Sequence, residues 1–342
     1  MKKFAYSIAA IAVSAPLMQA AQAQTNVTIS GTVDGGVRYL TNANATGGSK
    51  VYMGSNGWNS SNKLDIIGVE DLGDGLDAHF VLESGFNLAT GALDNTTSLL
   101  FNRQSIVGLK GSFGSIDMGR QYTISHDLLL DYDPFNFNYT TLIPLTLASS
   151  GTRFSNDLKY TAKLGAVKLE LENSFGETAG SFNTASARGV GLQYGENGFM
   201  AGGSYNRRSV LVGTTYRNED YYLVGFAYKY GAFGLSGGYM IDTINMQSTA
   251  VDTVTRNTFG GASYSVSDRV KITGGFYRTT VSPDKVGRKD MSIVGVDYML
   301  SKRTKLYAEV DYTKYHSAVV STLNTLGVPN QTGMTVGINH KF

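Results

Sequence analysis

Three aspartates, Asp127, Asp131 and Asp133, fall within seven residues of a polar stretch, 122–151, and Pro134 follows the last of them. Carboxylates this close together repel one another unless water or cations balance their charge. A connection of about 30 residues is uncommon in a compact domain and usually has a functional reason. These residues could orient water and charged solutes; the alternative is an ordinary solvated surface loop.

Catalytic and metal chemistry are poorly supported by the other reactive residues. The four histidines, His79, His126, His316 and His340, lie in no nucleophile or zinc-protease motif, and the chain has no cysteine. His79 and Glu83 are four residues apart, so on a strand both point to the same face. They form a polar pair there and not a catalytic set. No Asp-x-Asp-x-Asp-Gly calcium pattern occurs. We therefore expect no enzyme, no cofactor and no metal site.

Residues 1–23 are typical of a secretory signal peptide, with a basic start, the apolar run Phe4–Ala15 and a small-x-small cleavage site ending at Ala23. The alternative, an uncleaved anchor, is disfavoured because the run is too short to span a bilayer. Cleavage leaves 24–342 as a single domain in which basic and acidic residues balance at 27 each. This balance argues against a nucleic-acid-binding protein.

Apolar and polar residues alternate with a period of two through much of the chain, which is typical of strands with one polar face. The alternation is clearest in 27–39, 270–277, 305–313 and 334–342. After the signal peptide there is no run of 18 apolar residues, so no transmembrane helix is predicted. The 41 Gly, 21 Tyr and 16 Phe suit strands, turns and aromatic girdles.

Turn signals divide the chain into sixteen predicted strands. Seven short turns are predicted at 71–75, 111–114, 162–165, 195–198, 230–233, 265–269 and 300–304. Eight longer polar stretches are predicted at 41–62, 87–99, 122–151, 177–186, 207–218, 241–255, 281–289 and 316–331. Roughly 20 residues for each strand and its connection fit strands of about 10 residues that cross a bilayer at a tilt.

Short turns at one rim and long loops at the other indicate an all-β fold, a transmembrane sixteen-stranded antiparallel barrel. Closure removes the two unpaired edges of an open sheet, and in lipid closure is obligatory. A barrel this wide leaves an aqueous channel. In 101–110 and 115–122 either choice of outer face points polar groups outward, which indicates either bulges or a protein–protein interface.

Several segments resemble the general porins of Gram-negative bacteria, in particular the beta-proteobacterial type. They are Gly68–Leu76, Leu82–Leu88, Arg103–Gln104, Gly119–Tyr122, Tyr298–Thr304 and Val336–Phe342. The resemblance implies a homotrimer in the outer membrane, in contact with its lipids and lipopolysaccharide, with one pore per barrel for ions and small hydrophilic solutes. It implies that loop 87–99 latches over the neighbouring subunit, and that the third long loop folds inward. It also implies that Phe342 is read by the barrel assembly machinery.

The resemblance further implies a pore constriction in which the acidic loop residues face a ladder of basic residues on the barrel wall. By position these are Lys63, Arg103 and Arg153. We add Arg38, near the outer end of the first strand, and Arg120, at the start of the long loop. The second strand departs from the family, which commonly has Arg, Gly and a basic residue where this chain has Lys63, Asp65 and Ile67. This loss of wall charge leaves the ion selectivity open.

Three other functions remain possible from the sequence. A substrate-specific channel needs a binding track, which the loop aromatics Tyr132, Phe135, Phe137 and Tyr139 could begin, although packing of the loop against the wall explains them better. A secreted β-sandwich or adhesin would bury its apolar faces between two sheets. An enzymatic barrel is the remaining alternative.

Overall fold

The computed structural model describes residues 26–54, 56–145, 152–246, 251–283, 287–317, 320–321 and 323–342. The predicted signal peptide, 1–23, lies outside them. The strands are β1 (Asn26–Leu40), β2 (Lys50–Met53), β3 (Lys63–Asp71), β4 (Asp77–Gly85), β5 (Gln104–Gly111), β6 (Gly114–Tyr122), β7 (Arg153–Leu164), β8 (Val167–Ser174), β9 (Ala187–Glu196), β10 (Phe199–Val212), β11 (Thr215–Tyr230), β12 (Phe233–Ile244), β13 (Thr253–Ser265), β14 (Val270–Ser282), β15 (Arg288–Met299), β16 (Thr304–Tyr315) and β17 (Asn330–Lys341).

One antiparallel sheet contains every strand and closes on itself. Each strand from β3 onward pairs with the next, and β17 returns to β1 from Thr32↔Lys341 to Leu40↔Gly333. β1 also pairs with β2 and β3 in succession along its other edge. β2 and β3 therefore form one barrel strand interrupted by residues 54–62, and the predicted barrel of sixteen strands is confirmed.

The last residue completes this closure. The backbone N–H of Phe342 donates to the carbonyl of Gly31 at 3.1 Å, and the N–H of Gly31 donates to the carbonyl of Phe342 at the same distance. The ring of Phe342 lies over Gly31, where an added Cβ would come within 2.6 Å of it. The seam between the first and last strands thus extends to the C-terminal residue.

The period of two separates an apolar outer face from a polar lumen. On β16, Leu306 and Val310 are exposed on the outer face, while Glu309 and Asp311 are buried inside. β1 follows the same rule, with Ile29 outside and Asp34 inside. Apolar side chains point outward because the hydrocarbon of a membrane solvates them and water fills the lumen.

The connections follow the predicted pattern with one exception. The seven short turns are confirmed, and so are seven of the longer connections, the first of which contains β2. The predicted loop at 207–218 is wrong, because β10 and β11 stay paired as far as Val212↔Thr215. Arg207, for example, is not a loop residue, because it forms a cross-strand ion pair with Asp220 at 2.7 Å.

Near 101–122 the sequence did not determine which side chains face the lipid, and the reason is local. On β5 and β6 the apolar side chains of Val107, Leu109 and Met118 are exposed on the outer face. The register between β6 and β7 then shifts between Gly119 and Gln121. A bulge of this kind adds a residue and breaks the alternation of faces, as one of the two sequence interpretations anticipated.

The third long connection is loop L3 (123–152), and its described residues, 123–145 and 152, fold into the lumen. It begins with helix α1 (Ile124–Tyr132), for which Thr123 Oγ1 accepts the backbone N–H of His126 at 3.2 Å as an N-cap. α1 contacts β8 to β12 on the inner wall. In the described residues no helix is long and apolar enough to span a membrane.

Lumenal glycines provide the groove in which L3 lies. An added Cβ would come within 2.3 Å of Ile124 at Gly191, and equally close to Tyr132 at Gly225. Further along L3 the same crowding, out to 3.3 Å, occurs under Pro134, Phe135 and Tyr139, at Gly261, Gly275 and Gly295. Tyr132, Phe135 and Tyr139 are buried in this groove, which favours loop-to-wall packing for these aromatic residues.

We predict that Gly225→Ala displaces Tyr132 and loosens L3, because a methyl group has no room beneath the ring. Overpacking of this kind typically costs about 1–3 kcal/mol. The folded barrel should lose its heat-modifiable gel mobility at a lower temperature, and its single-channel current should become larger and noisier.

Gly274→Ala is the matched control, because its Cβ would have no neighbour closer than 4.0 Å. Equal melting temperatures and equal currents for the two variants would contradict the groove assignment.

Candidate pore constriction

A second segment folds inward beside L3. The L1 arm, defined as residues 54–62 between β2 and β3, carries Trp58, whose side chain is only 6% exposed. The carboxylate of Asp34, on β1, holds the arm by accepting the backbone N–H groups of Trp58 and Asn59 at 2.7 and 3.2 Å. The carbonyl of Asn59 accepts the N–H of Tyr139 at 2.8 Å, so the L1 arm and L3 meet inside the barrel.

The L1 arm could not be predicted from the sequence because a polar loop gives no periodic signal. The available signals were a single Trp in the predicted first long loop and an Asp alternating into the lumen from the first strand. A large aromatic residue in an otherwise polar loop is better explained by burial than by exposure to water.

Asp127 is placed against the wall, not toward the open channel. Its Oδ2 lies 2.7 Å from the Nζ of Lys159, a buried residue of β7. Burial alone would raise the pKa of the Asp127 carboxyl, but the Lys159 ammonium and the neighbouring His126 lower it to about 2. The carboxylate is therefore ionised at neutral pH, and its charge is balanced by Lys159.

Asp133 is fully enclosed at the end of α1. Its oxygens accept the hydroxyl of Tyr277 at 2.6 Å and the backbone N–H of Phe137 at 2.9 Å. Burial raises the pKa of the carboxyl to about 6, against these hydrogen bonds, which lower it. Asp133 thus fastens L3 to β14. Asp131 is half-buried and accepts the side-chain amide of Gln193 at 2.9 Å.

Three of the five predicted basic residues belong to one contact network on the wall. Lys63 and Arg103 share the carboxylate of Glu83, at 2.7 and 2.5 Å. Arg103 and Arg153 both donate to the hydroxyl of Tyr122, each at 2.8 Å. The guanidinium of Arg153 also lies 4.3 Å from the centre of the Tyr122 ring. Lys63 also lies 3.2 Å from Asp65, so three cations meet two carboxylates in this network.

The remaining two basic residues lie in different places. Arg120 donates to the carbonyl of Asn102 and to Ser155 Oγ, both at 2.7 Å, and lines the same cavity as Arg103 and Arg153. Arg38 is buried elsewhere, 2.6 Å from both Glu309 and Asp311. Arg120 therefore lies beside the network. Arg38 is neutralised by Glu309 and Asp311 on the other side of the L1 arm.

The cavity at the basic network, about 420 Å³ in volume, lies between the wall, L3 and the L1 arm. L3 contributes Phe137, Thr140 and His126, whose ring stacks on Tyr122 with centroids 4.3 Å apart. Burial lowers the pKa of His126, against a smaller raising effect of Asp127. Among the described residues the lining contains three arginines and one carboxylate, Asp94.

Nothing in the described part of the chain is arranged for catalysis or metal binding. The segment 234–238 reads Gly-Leu-Ser-Gly-Gly and fits the Gly-x-Ser-x-Gly pattern, but it lies within β12. A nucleophile of that type requires a strand-to-helix turn. No group of three His, Asp or Glu residues in the described ranges is placed to hold a metal ion.

Comparison with known proteins agrees with the barrel. The profile of the Gram-negative porin family matches residues 7–318. Outer membrane porin protein 32 of Delftia acidovorans is 30% identical over 366 residues, covering 100% of both chains.

Solved structures show the same architecture. An anion-selective porin from Comamonas acidovorans superposes with a TM-score of 0.82 at 26% identity, over 93% of this chain and 100% of that one. A trimer form of OmpT of Vibrio cholerae, at 16% identity and a TM-score of 0.68, covers 93% of this chain and 99% of its own and shares the fold. The chain therefore belongs to the Gram-negative porin family, and its barrel is a general diffusion channel of the outer membrane.

Proposed function

We propose that this porin passes small hydrophilic solutes with a preference for anions, selected at the cavity lined by Arg103, Arg120 and Arg153. The observation that carries the proposal is the imbalance of charge there, three guanidinium groups against two carboxylates, Asp94 in the lining and Glu83, which pairs with Arg103 at 2.5 Å. The similar Comamonas acidovorans structure is named an anion-selective porin, which supports the same direction. The balanced charge of residues 24–342 does not oppose it, because an ion responds to the charges nearest its path.

The strength of the selection follows from Coulomb's law. A monovalent anion about 7 Å from one guanidinium is stabilised by roughly 0.6 kcal/mol at the dielectric constant of water, and by about 2.4 kcal/mol at an effective value of 20. Several such contacts enrich anions in the constriction without trapping them. Weak binding at more than one position is what conduction requires.

The predicted acidic residues have unequal parts in this proposal. Asp127 and Asp133 shape the constriction by holding L3 to Lys159 and Tyr277, and their charge or hydrogen-bonding capacity is used there. Of the three loop carboxylates, that of Asp131 is neither ion-paired nor enclosed. The loop therefore opposes the arginines less than its composition suggests.

We also propose that the barrel is a homotrimer, as its family resemblance implies. Leu100, on the second long connection, is 60% exposed in the single chain. Burial of such side chains against a neighbouring subunit would remove apolar surface from water. Phe342 is 43% exposed on the outer face, which supports its proposed role as an assembly signal.

A lipid partner is proposed for two charged clusters on the outer face. Near the extracellular end of β10 and β11, Arg207 pairs with Asp220 at 2.7 Å. The second cluster surrounds Asp290, which accepts from Arg278, Arg288 and His316 at 2.8, 2.5 and 3.0 Å.

The second cluster faces the lipid and has excess positive charge. Its Arg278 lies between the buried lumenal residues Tyr277 and Thr279, and its guanidinium is 5.5 Å from the centre of the exposed Phe276 ring. Arginine above a membrane-facing aromatic ring suits the headgroup level. We propose that this cluster binds phosphate groups of lipopolysaccharide.

Replacement of two of the three arginines in the constriction, Arg120→Gln with Arg153→Gln, should reduce the anion-to-cation permeability ratio by a factor of about three or more. The ratio is read from the reversal potential of single channels in a potassium chloride gradient. Lys302→Gln removes a charge from an exposed turn and is the control. An unchanged reversal potential in the double variant would refute the selectivity assignment.

The lipid proposal predicts that Arg278→Ser with Arg288→Ser weakens stabilisation by lipopolysaccharide. Detergent-purified wild-type barrel should unfold at a higher temperature with lipopolysaccharide than with its dephosphorylated form, and the variant should lose most of this difference. Lys302→Ser again serves as the control. The same difference in wild type and variant would show that phosphate binds elsewhere.

A further inference from the structure

A second cavity lies on the periplasmic side of L3. Its volume is about 300 Å³, and it is bounded by the underside of L3 and the lumenal faces of β11 to β14. Two lysines line it, Lys229 on β11 and Lys271 on β14, together with the hydroxyl-bearing residues Ser236 and Ser263. L3 separates this cavity from the arginines of the constriction.

The two lysines of this cavity are not ion-paired. Within the residues that the structure describes, neither Lys229 nor Lys271 has an ion-pair partner within 4.0 Å. The carboxylates of Asp131 and Asp133 also line the cavity, but neither lies within 4.0 Å of a lysine. Asp297, the cross-strand neighbour of Lys271, pairs with another lysine at 3.0 Å. The two ammonium groups are therefore left without a direct counter-charge.

Small residues keep the cavity open and direct a hydroxyl into it. Gly234 and Gly261 line the cavity on β12 and β13. Ser263 Oγ lies 2.7 Å from the position that a Cβ on Gly234 would occupy. The hydroxyl therefore lies over bare backbone, and any side chain at position 234 would displace it.

We propose that Lys229, Lys271 and Ser263 form a binding site for a polyvalent oxyanion of the phosphate class, reached from the periplasmic vestibule. Lysine binds phosphate as a point charge through rotatable N–H donors, and a hydroxyl adds a further donor. A divalent anion between two unpaired ammonium groups relieves their mutual repulsion better than a chloride ion, because it can attract both at once.

This inference rests on the proposed passage of anions, but it assigns a separate site. An anion leaving the arginine network must pass L3 before it reaches the periplasm. A second cationic position on the far side of the loop divides the path into two weak binding steps, as efficient conduction requires. The site would also make the channel respond differently to phosphate on its two sides.

The test uses single wild-type channels in a planar bilayer with potassium chloride on both sides and inorganic phosphate added to one side at pH 7.5. We expect phosphate to reduce the chloride current at a lower concentration from the short-turn side than from the long-loop side. Lys229→Gln with Lys271→Gln should raise the half-blocking concentration from the short-turn side about tenfold. Its reversal potential in a potassium chloride gradient should shift less than that of Arg120→Gln with Arg153→Gln.

Three comparisons decide between the sites. Lys302→Gln removes a lysine from a short turn outside the cavity, and it should block like the wild type. Gly234→Ala retains both lysines and should weaken the block by displacing Ser263. If Arg120→Gln with Arg153→Gln abolished the block and the lysine variant did not, phosphate would bind at the constriction and the proposal would be overturned.

Failure of the anion preference is a separate result. A wild-type channel without anion selectivity, whose phosphate block still depended on Lys229 and Lys271, would retain the site and refute the proposed selectivity. Equal phosphate sensitivity from both sides of the wild-type channel would overturn the site while leaving the selectivity intact.

Discussion

Every backbone N–H and C=O group at the depth of the hydrocarbon must find a partner within the protein, because lipid offers none. This chain meets the requirement by returning β17 to β1, and the seam continues to the carbonyl and amide of Phe342. The remaining features depend on that closure. Sixteen strands enclose more volume than wall side chains can fill, so segments of the connections occupy the lumen.

The apolar core of this protein consequently lies inside the barrel, between L3 and the wall. Leu128, Tyr132 and Tyr139 pack against inward side chains of successive strands, while the outer face presents its apolar residues to lipid. The glycines beneath them bring the loop close to the backbone of the wall. Polar contacts then fix its position, at Lys159 for Asp127 and at Tyr277 for Asp133. The width of the channel is thus set by packing as much as by charge.

Alternation and turn residues predicted the barrel because both are local properties of the chain. The same reasoning failed at 207–218, where Arg207 and Arg208 look like loop residues until their cross-strand partners Asp220 and Glu219 are known. The contacts of the L1 arm were equally inaccessible, because Trp58 and Asp34 are 24 residues apart and meet only after closure. Positions could be predicted for Lys63, Arg103 and Arg153, but their sharing of Glu83 and Tyr122 could not.

The three loop aspartates show why composition does not determine selectivity. Counted in the sequence, they make L3 acidic, yet Asp127 is cancelled by Lys159 and Asp133 is enclosed away from water. On the wall the cations outnumber their partners, since Lys63 and Arg103 share Glu83, Asp65 adds a second carboxylate at Lys63, and Arg153 donates to the neutral hydroxyl of Tyr122. An ion in the lumen responds to what remains after local pairing, because paired charges act at long range as weak dipoles. A barrel with equal numbers of acidic and basic residues can therefore present net positive charge along its channel, provided that its carboxylates are paired in holding the loop.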